Sequence, residues 1–253
     1  MIELKDIRKS FGGREILKGI STVFETGHIS LVIGGSGSGK TVLMKCMVGL
    51  EEIDTGEIKY DENVFSNLTR KERKPFRQEI GMVFQGGALF DSLNVEQNVM
   101  FPLNMFTNLS MEEKRDRVNF CLNRVNLINV NHLTPSELSG GMKKRVAIAR
   151  AIAPNPKYLF CDEPNSGLDP QTAIVIDNLI LEITQEFNIT TIVNTHDMNS
   201  VMEIGDKIIY VYKGEKWWEG SVEDILKTDN KELNDFIFAS KLAKNVKSMG
   251  LLK

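Results

Sequence analysis

The stretch Gly34-Gly35-Ser36-Gly37-Ser38-Gly39-Lys40-Thr41 constrains this chain more than any other. It fits G-x-x-x-x-G-K-[ST], the pattern of a phosphate-binding loop. Its four glycines let the backbone turn N–H groups inward around an anion. Lys40 can then reach the terminal phosphates of a nucleotide, and the Thr41 hydroxyl can hold Mg²⁺. Both flanks fit. His28 to Ile33 read as a short buried strand, and Val42, Leu43, Cys46, Met47 and Leu50 recur at helical spacing. The loop therefore feeds a helix N-terminus, where free N–H groups and the macrodipole favour negative charge.

Composition narrows what the nucleotide is for. The 253 residues suffice for one large domain, and the 42% hydrophobic content is that of a globular protein. A net charge of −3 gives no general basic footprint for nucleic acid. No apolar run approaches the roughly 18 residues of a membrane span. The start, Met1-Ile2-Glu3-Leu4-Lys5, does not read as a signal peptide. Cys46, Cys121 and Cys161 lie far apart in apolar surroundings, which predicts buried thiols in a reducing compartment. Work at a membrane would have to go through a partner.

Residues 2–25 alternate apolar and polar around Phe11-Gly12-Gly13, the pattern of antiparallel strands and a turn. Phe11 is either an aromatic platform for adenine or a core or turn residue. Asp54 to Tyr60 reads as a turn into a strand. The basic run 69–77 reads as a solvated face, with a lipid-headgroup patch as the alternative. Ile80 to Phe84 is a second buried strand ending at Gln85. Between Phe90 and Phe106 lie Leu93, Val95, Met100, Phe101, Leu103 and Met105, which are either core or a hydrophobic cleft for a partner. Residues 110–126 read as an amphipathic helix with Ser110 and Glu113 as a capping box.

Leu138-Ser139-Gly140-Gly141-Met142 precedes an Ala-rich helix closed by Pro154 and Pro156. Its Ser-Gly-Gly start offers a second anion-binding helix end. Tyr158 to Cys161 is a wholly apolar run, hence a buried parallel strand, and it runs into Asp162 and Glu163. If this strand neighbours the one before the glycine-rich loop, both carboxylates stand beside that loop. Successive residues point to opposite sides, so one serves Mg²⁺ and the other an attacking water. A helix follows over 170–187. A third buried strand, Thr190 to Asn194, leads to His196, which can donate to a γ-phosphate. Residues 207–219 read as a hairpin, and 222–242 as helical.

Taken together, the ordered motifs resemble the nucleotide-binding subunit of an ABC transporter over nearly the whole chain. They are a Walker A loop at 34–41, Gln85 as Q-loop, LSGGM at 138–142 as signature, and YLFCDE at 158–163 as Walker B. Ser166 to Asp169 resembles the D-loop, and His196 the switch histidine. The resemblance implies an α/β P-loop NTPase fold with a RecA-like core, an antiparallel β subdomain and a helical subdomain at about 87–153. One domain would span 1–230, with a C-terminal helical tail at 231–253.

It further implies ATP on residues 34–41 and Mg²⁺ held by Thr41, Asp162 and Gln85. Glu163 would polarise water, and His196 would steady the γ-phosphate. Ser139, Gly140 and Gly141 would act on the ATP of a second copy. A cytoplasmic helix of a membrane permease would sit on residues 88–106. The implied location is the cytoplasm, peripheral on the inner face of the cell membrane. Met142, where most such proteins carry Gln, together with GMVFQGGALFDSLNVEQNVMFPL and FCDEPNSGLDP, resembles the Mla/Mce-type ATPases of phospholipid transport. That subfamily implies an Mce-type lipid-binding partner. An importer for another small molecule, or a regulator of a division complex, are the alternatives.

Overall fold

A computed structural model describes residues 1–238. In chain order, β1 (Ile2–Phe11) and β2 (Arg14–Phe24) form an antiparallel pair turning at Gly12-Gly13. Strand β3 (Ile29–Ile33) enters α1 (Lys40–Met47) through the glycine-rich loop. Then follow β4 (Thr55–Tyr60), β5 (Asn63–Val64), α2 (Lys74–Gln78) and β6 (Ile80–Val83). Helices α3 (Val95–Phe106), α4 (Met111–Arg124) and α5 (Gly140–Ile152) make the helical layer. The chain continues through β7 (Tyr158–Asp162), α6 (Pro170–Glu186), β8 (Thr190–Thr195) and α7 (Met198–Ile204). It closes with β9 (Lys207–Tyr212), β10 (Glu215–Gly220), α8 (Val222–Lys227) and α9 (Lys231–Ile237).

Among the described residues these strands make two sheets. One is antiparallel, in the order β2-β1-β4-β5; the other runs β10-β9-β3-β8-β7-β6, parallel from β9 to β6. The central strands β3, β7 and β8 are buried along their whole length because both faces are covered, although β8 carries Thr190, Thr191, Asn194 and Thr195. Ile29, Leu31 and Ile33 face one core, shared with α3, α4, α5 and α6. Val32, Phe160 and Ile192 face the other, shared with α1 and the small sheet.

Several expectations need correction. β3 and β7 are not neighbours, since β8 lies between them. Leu50 lies beyond the end of α1 and is exposed, because Gly49 at φ 72 turns the chain away. The basic run is not all solvated: Arg73 is buried, bonds both carboxylate oxygens of Glu52 at 2.8 Å and stacks over Phe65. The segment 222–242 is two short helices, because Thr228 is extended and Asn230 caps a new start; its residues from 239 on lie outside the described range. The apolar stretch 90–106 divides between the two readings. Val95, Met100 and Leu103 are core, whereas Phe90, Phe101 and Met105 are exposed. The Ser110–Glu113 capping box is present in both directions.

Candidate functional site

The site forms at the carboxyl ends of β3, β8 and β7. The loop after β3 is folded tightly against its surroundings. Gly34 has φ 151, and a Cβ there would stand 2.3 Å from the Val211 carbonyl oxygen. Gly39 takes the left-handed conformation that starts α1. The Gly214 N–H donates to the Ser38 carbonyl, tying the loop to the β9–β10 turn. Lys40 is buried and folds back to donate to the Gly34 and Gly35 carbonyls at 2.7 and 3.2 Å. Burial pulls its pKa below the usual lysine value, opposed by the charges of Glu163 and Asp162. The buried Ser38 hydroxyl has no partner. A loop in which Gly34 leaves no room for a side chain, a lysine resting on carbonyls and an idle hydroxyl all fit an anion such as a triphosphate.

Thr41 and Asp162 meet, with the Thr41 hydroxyl donating to Oδ1 of Asp162 at 3.3 Å. This happens although β8 separates their strands. Asn194 at the end of β8 bridges the gap, its amide donating to the same oxygen at 2.9 Å. Asn194 is a functional candidate the sequence reading missed; its signal was a lone amide near the end of a β-branched strand. Among the described residues no three His, Cys, Asp or Glu cluster to hold a metal. One hydroxyl and one carboxylate fit Mg²⁺, which is usually held by one or two carboxylates together with substrate phosphates and water.

Glu163 points elsewhere, as alternation requires. Its Oε2 lies 2.8 Å from Nδ1 of His196. The carboxylate is largely covered, while the imidazole is 66% exposed. Glu163 takes φ 50, a left-handed backbone unusual for this residue type. Gln85 lies nearby but not on the metal pair: its amide donates to the Ser166 hydroxyl at 3.3 Å. Ser139 caps α5 through the Met142 N–H. Gly140 and Gly141 face Leu168 and Thr172, outside the clefts around residues 34–41. Phe11 is exposed and lines a cleft of about 350 Å³ with Arg14, Ile16 and residues 37–42. That position suits a stacking platform, and Phe11 takes no part in the core.

On the far side of β6, a second cleft of about 370 Å³ is lined by Met82, Phe84, Phe90, Phe101, Phe106 and Arg150. Asn98, fully buried, holds its rim. The Asn98 side chain accepts from the Phe90 N–H and donates to the Phe90, Leu93 and Asn94 carbonyls.

A phosphate loop, a hydroxyl–carboxylate pair and a carboxylate–imidazole pair at the ends of parallel strands define a P-loop ATPase. The chain belongs to the ABC transporter family, whose profile, described as "ABC transporter", matches residues 17–166. It is an ATPase that takes ATP with Mg²⁺. It is 38% identical over 248 residues to the methionine import ATP-binding protein MetN of Clostridium tetani, covering 97% of this chain and 77% of that one. Its fold matches the cassette MJ0796, solved as a dimer in a post-hydrolysis state bound to ADP and Pi. There the TM-score is 0.81 and the identity 33%, over 88% of this chain and 99% of that one. It also matches cbiO1 of Clostridium perfringens, part of the transporter complex cbiONQ. That TM-score is 0.84 and the identity 29%, over 99% and 98% of the two chains.

Proposed function

We propose that this chain is the ATP-hydrolysing subunit of an importer for a small polar molecule of the amino-acid class. The observation that carries the reading is the likeness to methionine import ATP-binding proteins over almost the full chain. The phospholipid reading is set aside, together with its Mce-type partner, because the relatives named are methionine importers. Met142, which suggested the lipid subfamily, packs half-buried against the main core, and its N–H serves the Ser139 cap. It is a packing residue, silent about cargo.

Within this reading Lys40 leaves its carbonyl partners and takes the β- and γ-phosphates. Residues 34–39 supply N–H donors, and Phe11 stacks on adenine. Thr41 and Asp162 hold Mg²⁺, with Asn194 fixing the carboxylate. When bound, the metal neutralises phosphate charge. Glu163 orients and polarises the attacking water, and His196 holds Glu163 in place and donates toward the γ-phosphate. Gln85 meets water or metal once Ser166 releases it. Ser139, Gly140 and Gly141 close on the nucleotide of a second copy. The cleft beside β6 receives a cytoplasmic helix of a permease, which keeps the subunit at the inner face of the cell membrane. No helix among the described residues is long and apolar enough to cross a membrane.

The test is reconstitution of the subunit with its permease in liposomes. ATP-driven uptake of labelled methionine or a related amino acid supports the reading. ATP-driven exchange of labelled phospholipid between vesicles, without amino-acid uptake, refutes it.

A further inference from the structure

Lys144 lies on α5, five residues after the Ser139 cap, and only 6% of it is exposed. Its helical neighbours Ala147, Ile148 and Ala151 are buried core residues, so it points inward. It has no carboxylate partner at salt-bridge distance among the described residues. Its ammonium instead donates to two main-chain carbonyls, Gln85 in a short contact and Glu163 at 3.4 Å. Gln85 and Glu163 follow the adjacent parallel strands β6 and β7, which is why one side chain reaches both. Burial pulls the Lys144 pKa down, against the pull of the Glu163 carboxylate. A methionine of similar length would fill the space without the desolvation cost.

The two carbonyls belong to backbone that needs holding. A non-glycine residue in the left-handed region is strained and persists where its surroundings fix it. Glu163 is such a residue, and so is Ala88. The Glu163 N–H donates to the Asn194 carbonyl at 2.9 Å, and the Glu163 carbonyl accepts from Ser166 as well as from Lys144. Six residues further along α5, Arg150 donates to the Gly87 and Ala88 carbonyls, both at 2.7 Å. Residues 85–88 are thereby bonded to α5 through three carbonyls.

We propose that Lys144 is a positioning residue for ATP hydrolysis. It registers the backbone of Glu163 and of Gln85 to α5, the helix whose tip carries Ser139, Gly140 and Gly141. A displacement of that helix then reaches the Glu163 carboxylate through one ammonium. The inference rests on Glu163 as the residue that polarises water, which Glu163→Gln tests alone.

The experiment compares Lys144→Met and Lys144→Gln with the parent chain. It measures kcat, KM for ATP, nucleotide affinity by fluorescence and thermal midpoint. Lys144→Met should keep its fold and hold KM and affinity within about twofold. Its kcat should fall at least tenfold. Lys144→Gln, shorter but still a donor, should lie between the two. In a Glu163→Gln background Lys144→Met should add no further loss. A kcat within twofold of the parent, or a KM that rises in step with the fall, overturns the proposal. Unfolding of both variants overturns it too, since Lys144 would then be a stability residue. If Glu163→Gln itself hydrolyses ATP normally, the underlying reading fails, whatever Lys144 does.

Discussion

Lys40 is held by two carbonyl oxygens and no carboxylate, so its charge is costly until phosphate arrives. Its folded pKa is depressed, so the unfolded chain binds that proton more readily. That penalty is present at pH below the folded value and lifts only as pH rises through the two values. Lys40→Met should therefore melt no lower than the parent at neutral pH without nucleotide. It should also lose the rise in midpoint that Mg²⁺–ATP gives the parent, as scanning calorimetry would read. Glu163→Gln should behave oppositely, retaining the ATP-induced rise while turnover falls at least a hundredfold in a phosphate-release assay. The residues of local patterns, Gly34 to Thr41, Asp162 and Glu163, were legible because each motif is contiguous. Asn194 and Lys144 were not, because their significance is a contact across strands. Lys144 sits in the triplet Lys143-Lys144-Arg145, where charge alone suggests a solvated face; the helical spacing to Ala147, Ile148 and Ala151 was the contrary signal.

Among the elements, the central strands declared themselves through short β-branched and apolar runs, and their order did not. Nothing local tells β7 that β8 will come between it and β3. Side-chain periodicity fixes a face, and it leaves neighbour choice to the packing of the whole sheet. The break between α8 and α9 is readable, since Asn230 in Thr228-Asp229-Asn230-Lys231 is a good cap, a signal against one long helix starting at 222. The rim of the cleft beside β6 depends on one amide. Asn98→Ala removes an acceptor from the Phe90 N–H and a donor from three carbonyls. The Phe90 and Asn94 carbonyls keep the Leu93 and Asn98 N–H groups, so the Phe90 N–H and the Leu93 carbonyl are left unpaired; at about 1–3 kcal/mol for each, a loss of roughly 2–6 kcal/mol is expected, read from urea denaturation midpoints. Phe90 should become mobile in the same variant, with the ATP affinity of the separate loop unchanged.

For the whole molecule, the proposed function makes the helix tip at Ser139, Gly140 and Gly141 one half of a nucleotide-binding surface and the cleft beside residues 37–42 of a second copy the other half. With saturating Mg²⁺–ATP, Glu163→Gln should sediment as a dimer, and the further change Ser139→Arg should return it to a monomer. A monomer in the first case would break the two-copy account. The second cleft has a different consequence. Phe90 and Phe101 stand 4.6 Å apart by ring centroid with much of their area bare, and Met105 is exposed on the same helix as Phe101. If the cleft receives a permease helix as proposed, the subunit purified alone carries that oily notch into water. On storage such samples should grow turbid with concentration, and Phe101→Ser with Met105→Gln should keep them clear.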